Sequence, residues 1–292
     1  MSTVTPNPER LDALKAAYAS ASAARRNRTL LGIAIFLAVM VGSAIVAEVN
    51  IGKLVAKFGN FTSYFERLAH LDSGALVTTD IGEWFWGLNH WLKLLAETLM
   101  IAYVGTIVGA VLGFLLCFPA ARNLTRSAWE MAIVRRFLEF CRTVPEIVFA
   151  LIFVVAFGLG PLPGVLAIAI HTTGALGKLF SEVVENIDMK PVDGILASGG
   201  NRVQVIRFAV VPQVLSNFLS YALLRFEINV RGAAIMGFVG AGGIGQDLLE
   251  SVRKFYYSDV SAILLLIIAT VFVIDMVTER ARHALIGREA HR

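Results

Sequence analysis

The chain has 292 residues, of which 57% are hydrophobic and only 16% charged, whereas a soluble domain carries about 25% charged and about 45–50% apolar residues. That balance excludes an ordinary soluble enzyme and a disordered protein alike. The formal net charge of +4 is too small to imply nucleic acid, and the two cysteines, Cys117 and Cys141, lie in or beside apolar runs as packing residues, without disulfide or zinc spacing.

Residues 1–28 are polar or Ala-rich, too long a lead for a cleavable signal. Glu9–Ala24 reads as a marginal helix or a disordered tail. Charge-free runs follow at Thr29–Ala47, Thr98–Ala121, Ile147–Gly177, Phe208–Leu224 and Val260–Ile274. A bilayer-spanning helix needs roughly 20 mainly apolar residues. The pattern predicts an all-α polytopic bundle with six transmembrane helices at about 29–49, 91–119, 137–158, 162–186, 210–234 and 259–279. Four parts result: a tail over 1–28, the first span with an outer segment over 29–90, a membrane core over 91–280, and a tail over 281–292.

In the outer segment Ile51, Leu54, Val55, Phe58, Phe61, Phe65 and Leu68 recur at helical steps, which predicts an amphipathic helix lying along the lipid interface or forming a lip for a partner. Trp84, Trp86 and Trp91 follow as an expected interfacial belt. The 31-residue run Ile147–Gly177 is cut by Gly158-Leu-Gly-Pro-Leu-Pro-Gly164, so two spans meet there in a tight hairpin. Lys and Arg number 16 in the segments on the N-terminal side of the membrane and 5 on the other. By the positive-inside bias both termini are cytoplasmic.

Polar residues within spans are costly and face the bundle interior or water. In the third span Glu139, Arg142 and Glu146 fall on one face as an expected ion-pair ladder, and Thr143-Val-Pro145 is expected to kink the helix. The fourth span carries a stripe of His171, Lys178, Glu182 and Glu185, with Lys178 placed to pair with Glu182 and with Gly174 and Gly177 permitting close helix approach. The loop over 188–212 begins with Asp193-Gly-Ile-Leu-Ala-Ser-Gly199, a short helix stopped at Gly199-Gly200. Asn201-Arg202 then open a second amphipathic stretch, and Pro212 sits in the first turn of the fifth span. Within that span Glu227 and Arg231 lie about 40° apart and are placed to pair. Arg225 shares a face with Asn229 and lacks a counter-ion on its own helix. Gly240-Ala-Gly242-Gly243-Ile-Gly245 satisfies a dinucleotide-binding expression, but it follows a membrane span and has no βαβ context. A flexible turn or re-entrant segment lining an outer gate is the expected role of those glycines. His70, His90, His171, His283 and His291 offer no metal-ligand spacing, and no Walker-type lysine loop is present.

The loop resembles the coupling loop of bacterial ABC importer permeases, in which Glu-Ala-Ala is followed, after three intervening residues, by Gly and later by a closing Pro. Asp193 stands for the Glu, Gly194 and Ile195 for the alanines, Gly199 for the Gly and Pro212 for the Pro. The double alanine is absent. Arg142-Thr-Val-Pro-Glu146, His171-Thr-Thr-Gly-Ala-Leu-Gly-Lys-Leu179 and Gly237-Phe-Val-Gly-Ala-Gly-Gly-Ile-Gly245 are similar to the phosphonate-type members, over about residues 90–280. The resemblance implies a type I permease fold and a homodimeric pore in the bacterial inner membrane. It also implies two cytoplasmic ATPase subunits, an external solute-binding protein, and phosphonate, phosphite or phosphate as cargo. Asp193, Gly194, Gly199, Gly200, Asn201, Arg202 and Pro212 would couple to the ATPase. With such a cargo Arg225, Arg231 and His171 are candidates for the anion pathway, because an arginine fork matches phosphorus oxyanions; structural pairing with other helices is the competing role. The same architecture with an amino acid or quaternary amine as cargo is one rival, and an intramembrane enzyme is another.

Overall fold

The computed structural model describes residues 8–71, 73–125 and 127–287; His291 and the ends of both tails lie outside the described residues. The chain divides into two compact units, Met1–Tyr64 and Phe65–Arg292.

The first unit is built on α1, Pro8–Val46, a single helix of 39 residues. The expected marginal tail therefore continues the first span without a break. Ala, Leu and Arg are frequent in it, all strong helix formers. Its apolar residues, from Leu30 to Val46, are exposed, as lipid-facing side chains are. After it come α2, Ile51–Ala56, and the start of α3, Phe58–Leu68. Asn50 caps α2 by accepting from the Lys53 amide at 2.9 Å. The amphipathic helix expected across this stretch is thus two helices. The break comes at Lys57, whose amide closes α2 on the Lys53 and Val55 carbonyls.

The second unit continues with α4, Ile81–Trp84; α5, Leu88–Ala120; α6, Ala128–Thr143; α7, Glu146–Phe157; and α8, Pro161–Glu185. It closes with α9, Lys190–Ala197; α10, Arg202–Val205; α11, Val211–Met236; α12, Ile244–Lys254; and α13, Tyr257–Gly287. A π-helical turn, Ile206–Val210, joins α10 to α11. Among the described residues five helices are long and apolar enough to cross a membrane, and six crossings result if α6 and α7 form one bent span.

That pair is the span expected over 137–158, broken at the expected kink. The two helices meet at 85°. Val144 is extended, with ψ at 124°, as the residue before a proline must be, and Pro145 supplies no amide to continue the α6 ladder. The expected ion-pair ladder fails for the same reason. Glu139 pairs with Arg136 on α6 at 2.5 Å, while Glu146 leads α7 in another direction.

Lipid tails are as apolar as leucine, so burial alone does not drive helices together in a membrane, and close packing must do so. On α5, Gly105, Gly109 and Gly113 recur every fourth residue and face Ile168, Thr172 and Gly177 of α8; a Cβ at Gly105 or Gly109 would stand 2.7 or 2.6 Å from a side-chain atom of its neighbour. Gly174 packs equally tightly on the α6 backbone, where a Cβ would lie 2.6 Å from the Arg142 nitrogen. One apolar cluster joins Cys117 and Phe118 of α5, Phe180 of α8, Val192 of α9 and Phe218 of α11. At the far end, Trp91 packs with Ile244 and Leu248 of α12 and Ile263 of α13. The tryptophans are more than a lipid-facing belt: Trp91 is buried, Trp84 donates to Ser261 at 2.9 Å, and Trp86 donates to Asp259 at 2.8 Å.

Candidate functional site

Three regions hold the residues singled out from sequence. The first is the loop between α8 and α11. Pro191 lies in the first turn of α9, where its missing amide costs nothing. Gly199, at φ +81°, takes the left-handed conformation that ends α9. Gly200 returns its amide to the Ile195 carbonyl at 2.9 Å. Asn201 then opens α10 with a reciprocal cap: it accepts from the Gln204 amide at 3.0 Å, and its own amide donates to Gln204 Oε1 at 2.8 Å. Pro212 lies in the first turn of α11.

Inside the loop, Val192, Val205, Ala209 and Val210 are buried. Gln213 clamps its start by accepting from the Asp188 amide at 3.1 Å and donating to the Asp188 carbonyl at 3.2 Å. Asp193, Gly194, Leu196 and Val203 are exposed, and Arg202 reaches Glu130 of α6 at 3.7 Å. The product is a hydrogen-bonded two-helix projection whose outer surface mixes Asp193, Lys190 and Arg202 with apolar Leu196 and Val203. Arg135 braces its base from α6, donating to the Ala120 carbonyl at 2.8 Å and pairing with Glu185.

The second region lies where α7, α8 and α11 meet. Arg225 of α11 stands 3.8 Å from Glu146, the first residue of α7, with side chains 15% and 25% exposed. His171 of α8 contacts the Val144 carbonyl through Nδ1 at 3.2 Å and lies within electrostatic reach of both charges. The geometry thus brings Arg225 and His171 together, and it adds Glu146. Arg231 is elsewhere: it pairs with Glu227, and its side chain is half exposed. Glu227 is buried and also meets Asp275 of α13. Lys178 pairs with Glu182 at 3.1 Å.

Asn229, one turn beyond Arg225, is fully buried and donates to Thr106 of α5 at 2.8 Å and to Thr172 of α8 at 2.9 Å. That knot locks the rotation of α11 against two neighbours and so fixes the direction in which Arg225 leaves the helix. The roles of Glu146 and Asn229 escape a reading of single helices. Pro145 signalled the break, but nothing local signals that α11 returns against it.

The third region is the glycine-rich turn between α11 and α12. Of the flexible turn or re-entrant segment expected here, the flexibility is not what is observed: the turn is tightly packed. Gly240, Gly242 and Gly243 all have positive φ. The Gly243 amide donates to Glu97 at 3.1 Å and the Ile244 amide to Thr98 at 2.9 Å, while Gly240 accepts from the Gly160 amide at 3.0 Å. A Cβ at Gly245 would collide with the Ala234 carbonyl. The α7–α8 hairpin and the α11–α12 turn are therefore one pinned assembly.

Residues 105–289 match the family model described as binding-protein-dependent transport system inner membrane component. The chain is 41% identical over 191 residues to a phosphite transport system permease protein of Stutzerimonas stutzeri, covering 65% of this chain and 70% of that one. It is 37% identical over 193 residues to a phosphate-import permease protein of Mycolicibacterium smegmatis, covering 66% of this chain and 36% of that longer one. A chain of the MetNI methionine ABC transporter in an inward-facing form shares the fold, with a TM-score of 0.59 at 19% identity, over 67% of this chain and 95% of that chain. A permease of this kind works with an ATPase and a binding protein. The chain belongs to the binding-protein-dependent transport system inner membrane components, and it is a multi-pass ABC importer permease.

Proposed function

We propose that the chain carries phosphite, a phosphonate or a related phosphorus oxyanion across the bacterial inner membrane by alternating access. It works as a homodimer with two cytoplasmic ATPase subunits and an external solute-binding protein, its termini on the cytoplasmic side. The observation that carries this reading is Arg225, a guanidinium largely buried among spanning helices in a chain whose relatives are named for phosphite and phosphate transport. A buried arginine whose geometry fits oxyanions is costly unless something uses it. His171 lies beside it, and Arg231, paired with Glu227 further along α11, is the remaining cationic candidate.

In this mechanism Asp193, Gly194, Gly199, Gly200, Asn201, Arg202 and Pro212 form the handle that the ATPase grips. Its internal hydrogen bonding supports that role, since a floppy loop would absorb the motion it should transmit. Gly240, Gly242, Gly243 and Gly245 form the outer gate, with the pinned turn moving as a body with the α7–α8 hairpin. ATP closure and binding-protein docking each shift the equilibrium only by their differential affinity for the two states.

Uptake of labelled phosphite by proteoliposomes holding the complex tests the reading. Unlabelled methylphosphonate or phosphate should compete, and Arg225→Ala should cut uptake at least about tenfold, the order expected for losing one charge-assisted contact. Competition by an amino acid or a quaternary amine instead would overturn the cargo assignment.

A further inference from the structure

Glu146 has no part in the pathway as drawn so far, yet three helices converge on it. Its carboxylate is 3.8 Å from the Arg225 guanidinium, beyond hydrogen-bond length. Two buried atoms of this ion pair make no hydrogen bond: Glu146 Oε2, an acceptor, and Arg225 Nε, a donor. His171 cannot satisfy the carboxylate through Nδ1, which it commits to the Val144 carbonyl. Gly232 of α11 makes room for the carboxylate itself, since a Cβ there would collide with Glu146 Oε1. The charged and titratable groups that face Glu146 are Arg225 from α11 and His171 from α8.

An unspent acceptor beside an unspent donor complements a ligand that presents one hydroxyl and one charged oxygen on the same atom. Building on the assignment of Arg225 to the oxyanion pathway, we infer that Glu146 is a specificity-determining residue that admits the oxyanion in its singly protonated form. The P–OH donates to Glu146 Oε2, and the neighbouring P–O⁻ accepts from Arg225 Nε. A fully ionised oxyanion brings no proton to the carboxylate and is repelled by it. Sulfate, ionised throughout the neutral range, is rejected on the same ground. A carboxylate in an anion path thereby becomes a filter, and the 85° break at Val144–Pro145 is what aims it at α11.

The test compares wild type with Glu146→Gln in proteoliposomes holding the whole complex, with saturating binding protein and labelled methylphosphonate, between pH 6 and pH 8.5. Each pH unit above the second pKa of the oxyanion removes its protonated form about tenfold. The wild-type rate should fall along that slope. The variant, whose amide tolerates a dianion, should fall less, so the ratio of variant to wild-type rate rises about tenfold across the range. Taking the ratio cancels the titration of the binding protein, and repeating the pair of measurements in a His171→Gln background removes that of His171. Gly232→Ala, which pushes the carboxylate aside, should raise the same ratio and serves if Glu146→Gln does not assemble. A flat ratio in the assembled variant, with Arg225→Ala inactive, would overturn the filter and leave the pathway standing. Full uptake by Arg225→Ala would instead remove the pathway reading and the filter with it.

Discussion

Gly109 of α5 lies directly against Thr172 of α8: a Cβ on Gly109 would stand 2.6 Å from the Thr172 Cβ and 2.9 Å from the Ala169 carbonyl. The two helices approach this closely because one has no side chain at the crossing. Gly109→Ala should overpack the seam and destabilise the protein by about 1–3 kcal/mol, lowering the melting temperature of the purified permease in detergent. An unchanged melting temperature would show that the helices part there at no cost.

The same crossing holds the Asn229 knot. Asn229→Leu removes the donor shared by Thr106 and Thr172 and should cost about 1–3 kcal/mol, the penalty of an unsatisfied buried polar group. Thr172→Val alone should cost less, because Thr106 still accepts. Thermal unfolding of the two single variants and the double variant gives the coupling between them. A coupling near zero would mean that the knot is incidental.

At the end of α9, Gly199 holds φ at +81°, a conformation that strains residues with a Cβ. Gly199→Val should destabilise the turn by about 1–2 kcal/mol. It should also lower the uptake obtained per ATP hydrolysed, while insertion into the membrane is unaffected. The ratio of substrate carried to ATP consumed is the measurement, and an unaltered ratio would exclude this turn as the coupling element.

On α12, outside the spanning helices, Lys254 donates to Glu250 at 2.5 Å. That hydrogen bond holds the Glu250 carboxyl below its ordinary value and the Lys254 amine above its own. The contribution of the depressed carboxylate is complete above its unfolded pKa and lost as pH falls through the folded one. That of the raised lysine is complete below its unfolded pKa and lost as pH rises through the folded one. Any difference in melting temperature between wild type and Glu250→Gln should therefore be largest in the neutral range and shrink at both extremes. Because the pair is exposed, added salt should shrink it too. A difference that grew on acidification would contradict this account.

Much of the fold was legible because lipid imposes simple rules. Charge-free runs marked the long helices, the glycines and prolines at 158–164 marked the hairpin, and Gly199 and Pro212 marked the ends of the projecting loop. Pairs on one helix were legible as well, as Lys178–Glu182 and Arg231–Glu227 illustrate. The sharp turn at Val144–Pro145 was legible as a kink, but its angle was not, because the angle depends on what α7 packs against. Helix α12 stayed hidden: its apolar stripe of Ile244, Leu248 and Val252 is short and adjoins a glycine run. Contacts between distant segments, such as Glu146 with Arg225 or Asn229 with Thr106, have no local signature at all. The part of the site read from sequence was thus the guanidinium and the imidazole, and the part found only in three dimensions was the carboxylate beside them.

The sidedness of the α9–α10 projection tests the central claim most directly. A single cysteine introduced by Ser198→Cys, with Cys117 and Cys141 replaced by alanine, can be labelled with a membrane-impermeant maleimide in right-side-out and in inside-out vesicles. The account predicts labelling in inside-out vesicles alone, and protection there when the ATPase is bound. Labelling from the external face would contradict it.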